Sequence, residues 1–150
     1  MFRANSIKSF SFLFALVGFF TLLPVDEAKA QPAPALTEFR VIAVKSVGYL
    51  QGTQYDMVPQ YAFSTPQDHK GGGLYVVVFE RGYGQSQTAS FNGVNMSLVL
   101  SEPQVAANRT VYGYYRYYYS PANFTSGTFT SSARSMNSPW NTMSTRLFIR

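Results

Sequence analysis

The chain has 150 residues and no cysteine, and its twelve Lys/Arg against seven Asp/Glu give a formal net charge of +5. Disulfide-stapled modules and thiolate metal sites are thereby excluded. No Lys/Arg run exists that could neutralise a row of phosphates, so nucleic acid is not an expected partner.

The first thirty residues read as a cleaved N-terminal signal peptide. Arg3 and Lys8 give a basic start, and Phe10–Leu23 is an apolar run of 14 residues. Pro24 breaks it, and Ala28-Lys29-Ala30 is a small-x-small cleavage end. A spanning helix needs roughly 20 apolar residues, so no transmembrane anchor is expected after processing. The expected product is one domain of 120 residues with nine Lys/Arg and five Asp/Glu, a net charge of +4. Export without disulfides points to a bacterial protein, secreted or periplasmic.

Residues 31–36 form an extended leader, opened by a mobile Pro/Ala run at Gln31–Ala35. The domain then covers 37–150. Phe39–Val47 is apolar and β-branched, which predicts a strand. Gly48–Gly73 is a long irregular connection, and Leu74–Arg81 is a strand with two apolar faces, hence central.

Asn92-Gly93 separates two alternating runs, Ser86–Phe91 and Val94–Leu100, and suits a two-residue type I′ turn with both positions at positive φ. Pairing outward sets Phe91 opposite Val94, Ala89 opposite Met96 and Gln87 opposite Leu98. The other face collects Ser90 with Asn95 and Thr88 with Ser97.

A tyrosine-rich strand is predicted over Thr110–Ser120, with shorter strands near Gly127–Ser131 and Thr145–Ile149. No segment after the signal region shows helical periodicity. The fold class is therefore all-β, a small antiparallel β-sandwich or an irregular barrel.

Chemistry-bearing residues are few. His69 is the single histidine, and with Asp68 and Lys70 it reads as a solvated loop residue. No Gly-x-Ser-x-Gly elbow accompanies it. The carboxylates Glu38, Asp56, Asp68, Glu80 and Glu102 show no cation-loop spacing. No catalytic residue, metal set or cofactor motif emerges.

The eleven tyrosines are the feature that stands out, because several crowd one predicted strand. Period-2 sorting there collects Tyr112, Tyr114, Arg116 and Tyr118 on one side, and Val111, Tyr115, Tyr117 and Tyr119 on the other. The side with the charge is expected to face water, where Tyr112, Tyr114, Arg116 and Tyr118 could stack on a cell-surface glycan or a protein partner. The expected function is a non-catalytic binding or surface-interaction protein. Its alternatives are a small secreted hydrolase using a carboxylate pair or His69, and a membrane-active toxin-like protein.

Four short motifs carry a family resemblance: Asp68-His69-Lys70-Gly71-Gly72, Glu80-Arg81-Gly82-Tyr83-Gly84, Asn92-Gly93 and Asn137-Ser138-Pro139-Trp140-Asn141. Together they resemble a family of small secreted bacterial proteins, the domain of unknown function DUF4879. The resemblance implies an exported bacterial protein and supplies no activity or site residue.

Overall fold

The computed structural model describes residues 33–150. The expected signal peptide over 1–30 and the first two leader residues lie outside them. Nine strands follow in order: β1 Glu38–Lys45, β2 Asp56–Met57, β3 Leu74–Arg81, β4 Gly84–Phe91, β5 Val94–Asn95, β6 Ser97–Val105, β7 Val111–Ser120, β8 Gly127–Ser135 and β9 Thr142–Ile149. They form two sheets, ordered β2-β1-β3-β7-β6 and β5-β4-β8-β9, with every strand pair antiparallel. This is a β-sandwich with no closed barrel.

Each sheet lends one face to a shared core. From the five-stranded sheet come Phe39, Val41, Val44, Leu74, Val76, Val78 and Tyr118; from the four-stranded sheet come Ala89, Phe91, Phe129, Ala133, Leu147 and Ile149. β3 is central, as its two apolar faces predict: six of its eight residues are buried.

The Asn-Gly turn forms with φ of 50° at Asn92 and 79° at Gly93, and the first two cross-strand pairs are the predicted ones, Phe91 with Val94 and Ser90 with Asn95. The Met96 N–H still donates to the Ala89 carbonyl. Beyond that point the expected hairpin is overturned. The chain leaves for the other sheet, where Ser97 pairs with Tyr119 and Leu98 with Tyr118, so neither meets Thr88 or Gln87. Thr88 pairs with Ser132 of β8 instead. Alternation specifies which residues share a face, and a neighbouring strand with a longer register can still outbid a local hairpin for one of its arms.

The leader is also tied down where it is described. Leu36 is buried in the core, its N–H donates to Ser135 Oγ, and the Pro34 carbonyl accepts from Tyr83 N–H. The mobile Pro/Ala run of the sequence reading therefore does not extend through Pro34–Leu36: an apolar anchor and strand-end hydrogen bonds hold that stretch.

A candidate aromatic binding face

The two residue sets of β7 separate as alternation requires, but the side each one faces is the reverse of the expectation. Tyr118, expected in water, is 2 % exposed and packs against Phe129 of the opposite sheet, with ring centroids 6.2 Å apart. Arg116 also points inward. Its Nη2 donates to Glu80 Oε1 at 3.0 Å and its Nη1 donates to Ser101 Oγ at 2.7 Å. Tyr114 lies under the guanidinium, 4.3 Å from ring centroid to the central carbon, and meets Tyr83 edge-on. Burial, followed by the Tyr83 hydroxyl, pushes the Tyr114 hydroxyl above its ordinary range. Tyr112, at the strand's start, is the most exposed of the four. These residues share a face and do not form an open platform.

Glu80 explains the reversal. It is fully buried on β3, on the same face as Val76 and Val78. Its carboxylate accepts from Arg116, from the Gly84 N–H at 3.0 Å and from the Gln87 amide. A buried carboxylate is tolerated when its lone pairs are taken up this way. A bulge between Gln85 and Thr88, with Ser86 at φ 54°, re-aims β4 so that Gln87 reaches it. The charge of Arg116 suggested solvent; the partner that keeps it inside sits on the adjacent strand. The available signal was Glu80 itself, a carboxylate in register with inward valines.

The outward face of the five-stranded sheet then belongs to the other set. Tyr119 pairs with Tyr75 across β7–β3, Tyr117 with Val77 and Tyr115 with Phe79. Tyr75 and Tyr119 have ring centroids 4.6 Å apart, and Phe79 and Tyr115 are 5.5 Å apart. Lys45 Nζ lies 5.1 Å from the Tyr55 ring and 5.2 Å from that of Tyr75. Val77 and Phe79 are only 3 % and 7 % exposed, although the second sheet packs on the opposite side. The tyrosines are half-buried and lie over them. The Tyr117 hydroxyl donates to Glu102 Oε2 at 3.0 Å, and burial together with this bond pushes it up to about 12. The result is a layer of mutually tilted rings, at 36° for Tyr75 with Tyr119 and 59° for Phe79 with Tyr115, with a cation between two of its tyrosines.

His69 also departs from its expected place. Expected in solvent, it is fully buried, with Nδ1 3.0 Å from Ser46 Oγ and Nε2 3.2 Å from Asp56 Oδ2. One neutral tautomer satisfies both bonds: Ser46 donates to Nδ1, and the Nε2–H donates to Asp56. Asp56 Oδ2 also accepts from the Gln67 N–H, and the Tyr49 ring packs tilted against the imidazole, with centroids 5.1 Å apart. The His69 N–H donates to the Arg150 carbonyl. Ser46 follows β1, Asp56 lies on β2, and His69 closes the long connection. The chain of bonds therefore pins that connection to the sheet and to the C-terminus. It has the order of a nucleophile–base–carboxylate set, with the Ser46 hydroxyl fully buried.

The long connection has its own exposed apolar side chains, with Tyr61 84 % and Phe63 90 % exposed. Among the described residues no helix is long and apolar enough to cross a membrane.

Residues 31–149 match the model of the family described as a domain of unknown function, DUF4879, and the chain belongs to that family. No curated protein matches it.

Proposed function

We propose that this DUF4879 protein is an exported bacterial, non-catalytic binding protein that holds a cell-surface glycan on the outward aromatic face of its five-stranded sheet. The observation that carries the reading is the layer of Tyr75, Tyr115, Tyr117 and Tyr119 over Val77 and Phe79. Flat rings supply apolar area that fits the non-polar face of a pyranose, while their hydroxyls offer hydrogen bonds at the rim. Two χ angles per tyrosine keep the ordering cost low. The site moves from Tyr112, Tyr114, Arg116 and Tyr118 to the outward neighbours on β7, and of the two expected ligands, a glycan or a protein partner, the glycan is kept.

The basic, apolar and small-x-small order of the first thirty residues supports export. Mass spectrometry of material recovered outside the cytoplasm should find a chain that begins at Gln31. An uncleaved chain held in the membrane fraction would remove the export part of the proposal.

The binding part is tested by pull-down on insoluble neutral polysaccharide and on cell-wall preparations. Tyr115→Ala with Tyr119→Ala should lower retention at least tenfold, the scale for losing well-packed aromatic contacts of about 1–3 kcal/mol. Retention equal to wild type in a folded double variant would show that the rings do not hold the ligand.

A further inference from the structure

The other outward surface has a different chemistry. Along β4, β5, β8 and β9 the register aligns side chains into rows that cross the four-stranded sheet. One row runs Asn95, Ser90, Thr130, Arg146; the next runs Thr88, Ser132, Ser144; a third runs Gln85, Arg134, Thr142. Every side chain in these rows is a hydroxyl, an amide or a guanidinium. Thr88 and Ser132 are joined by a 2.8 Å hydrogen bond, as are Ser90 and Thr130. A hydroxyl has one donor and two acceptor positions, so each pair retains capacity for a ligand. An open depression of about 480 Å³ lies over this face, lined among others by Thr88, Ser90, Asn95, Thr130, Ser144 and Arg146.

Charge on this face is one-sided. Four carboxylates of the described residues lie on the other sheet, Glu38 on β1, Asp56 on β2, Glu80 on β3 and Glu102 on β6, and Asp68 lies in the long connection. β4, β5, β8 and β9 hold Arg134 and Arg146 and no Asp or Glu. Both arginines are exposed, and among the described residues neither is in an ion pair. Along the strands they stand about 13 Å apart, four residues at roughly 3.3 Å each.

We propose that this face binds a uronate-type polysaccharide, with Arg146 and Arg134 each taking a carboxylate and the Ser/Thr rows exchanging hydrogen bonds with the sugar hydroxyls. Guanidinium and carboxylate match as two-pronged partners. A ligand that is itself rich in hydroxyls is the natural counterpart of rows built from hydroxyls, amides and guanidinium groups. The apolar anchor that a protein partner would seek is absent from these rows, and the one exposed ring of β9, Phe148, lies beyond them at the end of the strand. Two cations are too few for a nucleic-acid backbone. The site goes beyond the aromatic face and stands apart from it on the opposite side of the sandwich.

Affinity electrophoresis of the whole protein through gels containing polygalacturonate tests it. Wild type should be retarded, and Arg146→Gln should weaken binding on the order of tenfold, the scale for one charge-assisted hydrogen bond. Arg134→Gln with Arg146→Gln should abolish it. Thr130→Val with Ser132→Ala keeps the charge and should weaken it several-fold, while Tyr115→Ala with Tyr119→Ala should leave it unchanged. The last pair separates this site from the aromatic one. No retardation of wild type, or wild-type retardation of the folded double-arginine variant, overturns the proposal. So does full retention by Thr130→Val with Ser132→Ala, or equal affinity for inorganic polyphosphate, because charge alone would then account for binding.

Discussion

The two outward faces of this sandwich share a backbone geometry and differ in almost everything their side chains do. On the five-stranded sheet, large rings stand beside Val77 and Phe79, which are buried without help from another sheet. On the four-stranded sheet, short hydroxyl side chains stand beside each other and leave Thr88 and Thr130 exposed. One face adds a third apolar layer to the fold, while the other leaves its surface to water. The difference teaches that strand position alone does not decide what an outward residue contributes to stability. The size and polarity of its cross-strand neighbours decide it, because only a large ring can cover the residue next to it.

A charge placed under each face should separate them most sharply. Val77→Asp sets an unpaired carboxylate beneath the tyrosine layer and is expected to cost about 3 kcal/mol or more. Ser132→Asp, on the hydroxyl face, should stay within about 0.5 kcal/mol. Thermal melts of the two variants check this, and similar melting temperatures would end the distinction between the faces.

Truncation gives the next effect. Tyr117→Ala removes half-buried ring area and should cost about 1–3 kcal/mol, whereas Thr130→Ala should be close to neutral in the same denaturant titration. A Tyr117→Ala variant as stable as wild type would mean that the rings lie loosely over the sheet.

The edge of the hydroxyl face depends on the turn that carries Asn95. Gly93→Val forces a β-branched residue to φ near 79°, with no neighbouring atom in the way, so the penalty is conformational alone. It should be about 1–2 kcal/mol. An unchanged midpoint of unfolding would show that β5 can re-form without positive φ at this position.

The smallest expected effect is spectroscopic. The Tyr117 hydroxyl, raised by burial and by its bond to Glu102, titrates at about 12, against about 10 for an unfolded tyrosine. Its folded-state value is raised, so the stability it contributes is full below pH 10 and is lost as pH climbs through 12. Burial also raises Tyr55, Tyr114 and Tyr118, so alkaline ultraviolet titration should show a late phase whose amplitude falls by one tyrosine in Tyr117→Phe and is unchanged in Ser132→Ala. A smaller late phase in the hydroxyl-face variant, or an undiminished one in Tyr117→Phe, would misplace the perturbed group.

The amino-acid sequence by itself determined the all-β class, the central position of Leu74–Arg81, the Asn92-Gly93 turn and the division of β7 into two sets. These rest on local properties: β-branching, a dipeptide that tolerates positive φ, and the two-residue repeat of a strand. Tertiary structure alone decided which set of β7 faces the core, because that depends on Glu80, thirty-six residues away from Arg116, offering an internal counter-charge. It also decided that Ser97 and Leu98 leave their hairpin for the other sheet, and that His69 is enclosed between Ser46 and Asp56. In each case a local signal, be it a charge, an alternating run or a polar loop residue, is read correctly as chemistry and wrongly as location. Burial is set by partners on other strands, and pairing between distant segments leaves no periodic trace in the chain.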